Sequence, residues 1–495
     1  MQEHWLVFGI ELFSALFLLV IGLVALALVY MYLADKLQTR QAIRHNYPII
    51  GRFRYFFEKQ GEFFRQYFFA QDREELPFNR AERSWVYRAA KNIDRTIAFG
   101  STRPLNLPGT LMFMNTAFPE QGHNNQTVQP VTLGPYCRHP YTTDRICHIS
   151  AMSFGALSRP AITALSHGAA QAGCWLNTGE GGLSPYHLKG GCDLVFQIGT
   201  AKYGVRNAEG HLDHEKLKAV AAHEQVKMIE IKLSQGAKPG KGGILPGVKV
   251  TPEIALIRGI PEGQDSISPN GHIEFKDVGD ILDMVHQVRE ISGKPTGIKA
   301  VLGDTLWLDS LFEEIGRRGE QSAPDFFTLD SADGGTGAAP QPLMDYVGLP
   351  LSESLPILVD KLVLRGLKER IKVIATGKLI VPSRVAWALA VGADFVASAR
   401  GNMFALGCIQ AMQCNKDTCP TGITTHNPRL QKGLDPRDKS VRVANYNRYL
   451  HQDLAMLAHA CGVADARQFT RHHLRIVMDN GLSITLDNYY GQYTQ

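Results

Sequence analysis

The sequence predicts an α/β protein: a (β/α)8 barrel of the TIM type, preceded by a single N-terminal transmembrane helix. Eight short apolar runs recur along the chain, and helical patterns separate most of them, as expected for β/α units in series. An uncharged stretch of 22 residues lies near the N-terminus. A chain of 495 residues is long enough for one large domain with extensions.

Residues 12–33 are predicted to cross a membrane as one helix. They carry no charge, and a helix of this length spans a hydrocarbon core. A cleaved signal peptide is the alternative, but Glu3 and Glu11 precede the run and no Lys or Arg does. Lys36, Arg40 and Arg44 follow it, so the positive-inside rule predicts a single-pass membrane protein with its catalytic body in the cytoplasm.

The segment after the predicted span, residues 52–99, mixes clusters of Phe with charged residues. It is predicted either to lie on the membrane surface or to pack on the main domain, and its composition favours neither. Residues 106–140 are rich in Pro, Gly, Asn and Gln and are predicted to be irregular. These patterns divide the chain into a tail (1–11), the span (12–33), a juxtamembrane extension (34–140), the barrel (141–430) and a C-terminal helical extension (431–495).

The candidate barrel strands are the eight apolar runs 146–150, 175–178, 194–199, 228–233, 297–302, 326–330, 372–377 and 395–400. Apolar residues at helical spacing predict helices over 158–172, 214–224, 278–291, 305–317, 355–370 and 382–391. The gap between the second and third strands, 179–192, is predicted to be a Gly-rich loop without a helix. An open doubly wound sheet is the alternative, but no G-x-G-x-x-G follows the first strand.

Composition narrows the classes of function. The net charge of +5 is small for this length and does not indicate a nucleic-acid partner. Eight Cys in such a long chain do not make a disulfide framework.

Three of the cysteines, Cys408, Cys414 and Cys419, lie within twelve positions. Thiolates at this spacing can hold an iron–sulfur cluster, which needs soft sulfur ligands. Three ligands suit a three-iron cluster, or a four-iron cluster completed from elsewhere. A zinc site and buried thiols are the alternatives, although zinc sites favour C-x2-C pairs and a fourth ligand. A cluster also indicates a reducing compartment.

In such a barrel the chemistry lies at the carboxyl ends of the strands. Gly377 and Gly401 follow strands seven and eight, where backbone N–H groups of these barrels bind phosphate. Lys378 and Arg400 beside them strengthen the prediction of a phosphate-bearing cofactor. Lys299 ends strand five and is the candidate to place positive charge on a flavin's reduced ring.

Five motifs resemble the FMN-binding synthase domain of glutamate synthases. They are MSFGALS (152–158), NTGEGG (177–182), IKLSQGAKPGKGGILPG (231–247), SADGGTGAAP (331–340) and C-x5-C-x4-C-P-x-G (408–422). The resemblance covers about residues 145–430. It implies an FMN barrel beside a three-iron, four-sulfide cluster that passes electrons to FMN. It also implies reduction of 2-iminoglutarate, formed from 2-oxoglutarate and ammonia.

The resemblance implies roles for selected residues of the region 145–430. The cluster ligands would be Cys408, Cys414 and Cys419, and the catalytic residues would be Lys299, Glu180 and Asp333. FMN would contact Met152, Ser153, Lys299, Gly334, Gly335, Gly377, Lys378, Arg400 and Gly401. The 2-oxo acid, 2-oxoglutarate or a relative, would contact Gln197, Lys202, Lys232, Gln235 and Lys238.

The sequence also departs from the full-length enzymes. We recognise no amidotransferase domain, no C-terminal repetitive domain and no dinucleotide-binding unit, and Lys202 stands where we expect Arg. We therefore expect glutamine hydrolysis and NADPH oxidation to require partners: a separate amidotransferase chain, and a ferredoxin or other electron donor. The prediction is an oxidoreductase acting on CH–NH2 donors. The alternative is an electron-transfer subunit of a multi-chain glutamate or N-alkylglutamate synthase.

Overall fold

The computed structural model describes residues 2–121 and 128–491. It divides into two compact units, Met1–Ala81 and Glu82–Gln495, and the boundary falls within helix Arg80–Ala90. Met1 of the predicted tail, residues 122–127 of the segment predicted to be irregular, and residues 492–495 of the predicted C-terminal extension lie outside the described residues.

The N-terminal unit begins with helix Gln2–Leu37, which is longer at both ends than the predicted span. Within His4–Leu37, the most apolar stretch of 18 residues has a mean hydropathy of 3.0 and is not buried. Membrane spans and signal sequences share this length and composition. Helices Ala42–Asn46 and Gly51–Phe64 follow, and a π-helical turn, Arg65–Phe69, continues the latter.

Asp35 ties these helices together. Its carboxylate is fully buried and accepts hydrogen bonds from Arg44 Nε and Arg52 Nε, both at 2.8 Å, and from Ile49 N at 2.9 Å. A buried carboxylate is stable only where its oxygens are paired. These partners therefore fix how helix Gly51–Phe64 leaves the end of helix Gln2–Leu37.

Eight parallel strands of the second unit close into a barrel, which confirms the predicted (β/α)8 barrel. The strands are β1 (Cys147–Ile149), β2 (Leu176–Asn177), β3 (Leu194–Ile198), β4 (Val226–Lys232), β5 (Thr296–Val301), β6 (Phe326–Asp330), β7 (Lys372–Thr376) and β8 (Phe395–Ser398). β8 pairs with β1 in parallel and completes the ring. All eight predicted strands are present, with bounds that differ by at most two residues.

The predicted helices are present as Arg159–Ala172, His214–Ala221, Val278–Ser292, Leu306–Arg318, Leu351–Leu364 and Pro382–Val391. The one predicted over 355–370 is displaced towards the N-terminus, because Gly366 adopts a left-handed φ of 69° and ends it. The other helices of the second unit are Pro185–Leu188, Pro252–Arg258, Gln341–Tyr346, Arg400–Leu406, Pro428–Gln431, Pro436–Ala460 and Leu486–Tyr490, with 3-10 turns at Gly247–Lys249, Glu320–Ser322, Ala466–Gln468 and Arg471–His473.

The prediction of no helix between β2 and β3 was wrong. Helix Pro185–Leu188 lies there, and it begins with a capping box in which the Ser184 hydroxyl accepts from His187 N while the His187 ring accepts from Ser184 N. A helix this short has too few residues to show periodicity.

Short antiparallel sheets surround the barrel. Leu111–Phe113 pairs with Leu474–Val477, which also pairs with Ser483–Thr485. Val131–Leu133 pairs with Tyr141–Thr143, and Ile244–Leu245 with Ser266–Ile267. The predicted C-terminal helical extension therefore contains two strands as well as its long helix.

An apolar cluster fills the interior of the barrel at its amino-terminal end. It joins Leu133 and Tyr141, from one of the antiparallel pairs, to Trp175 and to side chains of the barrel strands. Burial of such side chains is the main favourable contribution to folding. The packed cluster closes the interior of the barrel at this end.

Candidate functional site

Two adjoining cavities open at the carboxyl ends of the strands. Their volumes, counted with the space that is open to solvent, are about 950 Å³ and about 570 Å³. They share wall residues, among them Gln197, Gln235 and Arg400. The larger is also lined by Met152, Ser153, Glu180, Lys232, Lys238, Gly335 and Cys414, and the smaller by Lys299, Gly335, Gly377 and Lys378.

Lys232 ends β4 and reaches the larger cavity. Its Nζ lies 2.8 Å from Oε2 of Glu180, which follows β2, and donates to Gln235 Oε1 at 2.7 Å. Burial alone would raise the pKa of Glu180, but the Lys232 ammonium outweighs it and the pKa is lowered. Gly243 permits this arrangement, because a Cβ there would lie 1.9 Å from Glu180 Oε1. Glu180 is therefore an ionised carboxylate beside a fixed cation.

Lys238 is a second buried cation of this cavity. Its Nζ donates to the Ala338 carbonyl at 3.2 Å. Burial lowers the pKa of Lys238 to about 8, against the opposing effect of Glu180. A Lys with this pKa gains and loses its proton near physiological pH.

Arg258 is a third cation at this cavity, and the sequence argument missed it. Arg258 ends the short helix Pro252–Arg258 and is 4% exposed. It donates to Ser266 Oγ at 3.2 Å and to the Phe154 carbonyl at 3.4 Å, and Nε has no hydrogen-bond partner among the described residues. A buried guanidinium with an unused donor suits a ligand carboxylate. The one available signal was an Arg at the end of an apolar helix.

Lys299, in β5, lies under the smaller cavity. Its Nζ is 3.2 Å from Asp330 Oδ2, at the end of β6. Burial lowers the pKa of Lys299, but the charges of Asp330 and Glu230 outweigh it and the pKa is raised. Lys299 therefore stays cationic although it is buried.

Glu230 was also missed by the sequence argument. It is 2% exposed and lies in β4, two residues before Lys232. Its carboxylate accepts from Asn177 Nδ2 at 2.9 Å, Gln197 Nε2 at 2.6 Å and Thr328 Oγ1 at 2.6 Å. These bonds orient Gln197 below the site. The available signal was a lone acidic residue between the apolar residues Ile229 and Ile231 of β4.

The turn after β7 combines two unusual backbone conformations. Gly377 has a φ of 128°, and a Cβ there would lie 2.2 Å from Ser331 Cβ. Lys378 has a φ of 54°, and its Nζ lies 2.8 Å from Asp333 Oδ2. Burial would raise the pKa of Asp333, but hydrogen bonds from Lys378 and Ser331 lower it. Asp333 is therefore an ionised partner that holds Lys378 at the mouth.

After β8, Gly401 lies in the first turn of helix Arg400–Leu406, where the sequence predicted a loop turn. The glycine is required by packing, because a Cβ would lie 2.1 Å from the Tyr446 hydroxyl. Arg400 donates to the Thr336 carbonyl, and its Nε would lie 2.7 Å from a Cβ at Gly335. Gly334 packs behind, where a Cβ would lie 2.9 Å from the Ser331 carbonyl oxygen.

Lys202 does not line either cavity. It is fully buried, and its Nζ lies 2.9 Å from Glu274 Oε2. Its backbone has a left-handed φ of 50°. The structure thus pairs this predicted substrate ligand with a carboxylate of its own chain.

The three predicted cluster ligands follow helix Arg400–Leu406. Cys414 lines the larger cavity, and its Sγ is 4.0 Å from Arg400 Nη1. Burial would raise the pKa of Cys419, but hydrogen bonds from Thr421 and Thr424 lower it, whereas burial raises the pKa of Cys408. The thiols are the right donor type for an iron–sulfur cluster. Among residues 2–121 and 128–491, however, no three His, Cys, Asp or Glu side chains are drawn together into a metal-binding group.

The loop that carries these thiols is held by Lys249. Its Nζ donates to the carbonyls of Ala156 at 2.7 Å, Thr424 at 3.1 Å and Cys414 at 3.3 Å. Burial lowers the pKa of Lys249 to about 8. The contacts pin the Cys414 loop to the segment after β1, beside the larger cavity.

Comparison with known proteins identifies the family. The family model described as the conserved region in glutamate synthase matches residues 120–464. The glutamate synthase large subunit-like protein YerD of Bacillus subtilis (strain 168) is 39% identical, over 97% of this chain and 98% of that protein.

Two further relatives are larger than the matched region. An archaeal glutamate synthase [NADPH] of Methanocaldococcus jannaschii is 34% identical over 64% of this chain and 58% of its own length. The glutamate synthase [NADPH] large chain of B. subtilis is 31% identical over 63% of this chain and 20% of its own length. The chain belongs to the glutamate synthase family and is a glutamate synthase-type oxidoreductase.

Proposed function

We propose that this chain is an FMN and iron–sulfur oxidoreductase that reduces 2-iminoglutarate to glutamate. The 2-iminoglutarate would form from 2-oxoglutarate and ammonia, or from an amine that a partner delivers. The observation that carries the proposal is the set of cations around Glu180. Lys232, Lys238 and Arg258 are buried and line one cavity, as a dicarboxylate ligand requires.

The cations and the carboxylate have distinct roles in this proposal. Lys232 and Arg258 bind the two carboxylates of the 2-oxo acid, with Gln235 beside Lys232. Lys238, whose pKa is about 8, gives a proton from Nζ to the substrate nitrogen, and Glu180 supports the charge of both lysines. Gln197, oriented by Glu230, closes the wall that the two cavities share.

The smaller cavity fits FMN. When bound, FMN would supply the hydride that reduces the imine carbon. Lys299 keeps a positive charge where the ring would lie. Backbone N–H groups at Gly377 and Gly401, with Lys378 and Arg400, suit the phosphate. Asp333 fixes Lys378. The glycines Gly334 and Gly335 leave room for the ring system, and Met152 and Ser153 would contact it from the adjoining larger cavity.

The loop with Cys408, Cys414 and Cys419 is proposed to hold a three-iron cluster. Support comes from the donor type and from the position of Cys414 at the cavity wall. A ferredoxin or similar donor would supply electrons, and a separate amidotransferase chain could supply nitrogen. The relative named as large subunit-like supports such partner chains. The second candidate function is that of an electron-transfer subunit of a multi-chain enzyme, because the same relative is named as a large subunit-like protein.

The apolar helix Gln2–Leu37 is proposed to anchor the protein as a single-pass span with the barrel in the cytoplasm. Residues 1–11, 12–33, 34–140, 141–430 and 431–495 would then be tail, span, juxtamembrane extension, catalytic barrel and C-terminal extension. Alkaline washing should leave the full-length protein in membranes. External protease should not cut the barrel in intact cells.

The function is tested with purified full-length protein. Acid extraction should release FMN, and FAD or no flavin would contradict the cofactor assignment. Dithionite-reduced protein mixed with 2-oxoglutarate and ammonium should regain its oxidised flavin absorbance, whereas either compound alone should not restore it. Failure with ammonium and with alkylamines would reject the substrate assignment and leave the cofactor assignment standing.

A further inference from the structure

Helix Gly51–Phe64 has one face of exposed aromatic side chains, formed by Phe53, Phe56, Phe57, Phe63 and Phe64. At about 100° per residue these five rings point to one side of the helix. Their exposed fractions lie between 41% and 62%. The charged residues Arg54, Glu58 and Lys59 lie outside this aromatic face. The helix is therefore amphipathic, and its apolar side is aromatic.

The rings contact one another and continue into the π-helical turn. Phe56 and Phe57 have ring centroids 5.3 Å apart, Phe63 packs on Tyr67 at 4.8 Å, and Phe64 on Phe68 at 5.5 Å. Soluble surfaces rarely carry an apolar patch of this extent without a partner. Aromatic side chains are enriched where membranes meet water.

The charge of the segment matches an anionic membrane surface. Between residues 35 and 70 the chain has three acidic residues, Asp35, Glu58 and Glu62, and seven Lys or Arg, namely Lys36, Arg40, Arg44, Arg52, Arg54, Lys59 and Arg65. Asp35 is paired with Arg44 and Arg52, and the other five basic residues still outnumber the two glutamates. Basic residues next to a span bind anionic headgroups, at about 1 kcal/mol each near the surface. The charge therefore favours an anionic surface over a neutral one, and the adjoining apolar helix Gln2–Leu37 favours lipid as that surface.

The connection to the apolar helix sets the depth of the aromatic face. Asp35 lies two residues before Leu37, where the apolar helix ends, and it accepts hydrogen bonds from Arg44, Ile49 and Arg52. The aromatic helix therefore starts beside the end of the apolar helix. If that helix crosses a bilayer, this end lies at headgroup level on the basic side.

We propose that the aromatic face of helix Gly51–Phe64 inserts into the anionic surface of the membrane that helix Gln2–Leu37 crosses, and that the bonds of Asp35 hold it there. The inference rests on the membrane anchoring proposed above, but it can fail separately. It gives the protein two membrane contacts, a span and an interfacial helix.

The test uses full-length protein in vesicles of phosphatidylcholine and phosphatidylglycerol with bromine on the upper acyl chain. Trp5 lies in the apolar helix, so the part of the wild-type lipid quenching that Trp5→Phe removes reports whether that helix is in the bilayer. The variant Phe57→Trp adds a reporter on the aromatic face, and Lys59→Trp adds a matched reporter outside it. Retained flavin absorbance shows that each variant is folded.

We expect brominated lipid to quench the added fluorescence of Phe57→Trp at least twofold more than that of Lys59→Trp. Replacing phosphatidylglycerol by phosphatidylcholine should reduce the difference. Quenching of Phe57→Trp by aqueous iodide would place the face in water and overturn the inference. Resistance to both quenchers would place it against protein, including a second copy, and would overturn it equally. Absence of this Trp5 contribution to the lipid quenching would instead reject the anchoring.

Discussion

Lys232 Nζ lies 2.8 Å from Glu180 Oε2, so the end of β4 and the segment after β2 are joined by an ion pair inside the larger cavity. Both side chains are largely buried. The Lys232 ammonium keeps Glu180 ionised, and Glu180 in turn holds Lys232 in a fixed position. Removing either partner would leave an uncompensated buried charge. A carboxylate ligand that enters this cavity meets a cation already in place.

Lys232→Ala should therefore weaken 2-oxoglutarate binding. Charge-assisted contacts contribute about 1.5–3 kcal/mol, which corresponds to roughly tenfold or more in Kd. FMN content should not change, because Lys232 lines the larger cavity and not the smaller one. The flavin absorbance of the purified protein measures the FMN content, and its change during titration with 2-oxoglutarate measures the Kd. The exposed Lys218→Ala serves as control, and an unchanged Kd for Lys232→Ala would refute this role.

The pKa of Lys238 predicts how substrate binding depends on pH. Because burial lowers this pKa to about 8, Lys238 loses its proton as the pH rises through 8, and 2-oxoglutarate binding should weaken over that range. Lys238→Arg keeps its charge and should move the loss to higher pH. The Kd is measured between about pH 6.5 and 9.5. The same alkaline limb in both proteins would assign the titration to another group, for example Lys249.

The contribution of Lys238 to folding stability should increase with pH, whereas 2-oxoglutarate binding weakens with pH. The unfolded chain, with an ordinary Lys pKa of 10.5, binds more protons than the folded protein between pH 8 and 10.5. The contribution of Lys238 to the free energy of unfolding therefore rises with pH in this window. Urea titration between pH 8 and 10.5 measures the free energy of unfolding. A rise in this free energy over the range where 2-oxoglutarate binding weakens would show that the weaker binding does not come from unfolding.

Gly377→Ala should remove the flavin. The left-handed φ of 128° and the 2.2 Å approach to Ser331 Cβ leave no room for a methyl group. Backbone strain of this kind costs about 1–3 kcal/mol, and relief by movement would displace the turn from the proposed phosphate site. Gly366→Ala is the matched control, since its φ is 69° and a Cβ there meets nothing within 4 Å. Equal flavin content in the two variants would contradict the phosphate assignment.

Most of the fold could be predicted from the sequence. The eight apolar runs predicted β1–β8 because strands buried on both faces need continuous apolar residues. Lys232 and Lys299 were found because they end such runs. The site residues that were missed lie elsewhere: Arg258 on a short helix of the long connection between β4 and β5, and Glu230 inside a strand. Their contribution depends on which side chains surround them, and sequence spacing does not contain that information.

For Lys202, in contrast, the sequence predicted a substrate contact that the structure does not place at either cavity. It follows β3 as a ligand-binding residue should, but its ammonium is paired with Glu274 in the interior. The sequence located Cys408, Cys414 and Cys419 in one segment but could not give the distances between their sulfur atoms.

Cys414→Ser should abolish the proposed cluster. Iron and sulfide analysis of the purified protein should find iron in wild type and little in the variant, and electron paramagnetic resonance of oxidised wild type should show a three-iron signal. Cys461→Ser changes a buried cysteine outside the segment and should retain the iron. Zinc in place of iron, or iron unchanged in Cys414→Ser, would contradict the assignment.

The most direct test of the account is nitrogen transfer by the full-length protein. Dithionite-reduced enzyme is incubated with 2-oxoglutarate and 15N-ammonium, and the products are analysed by mass spectrometry. The account predicts 15N-glutamate in proportion to the flavin reoxidised, and a loss of roughly tenfold or more at subsaturating 2-oxoglutarate in Lys232→Ala. Reoxidised flavin without 15N-glutamate, or equal 15N-glutamate from wild type and Lys232→Ala, would contradict it.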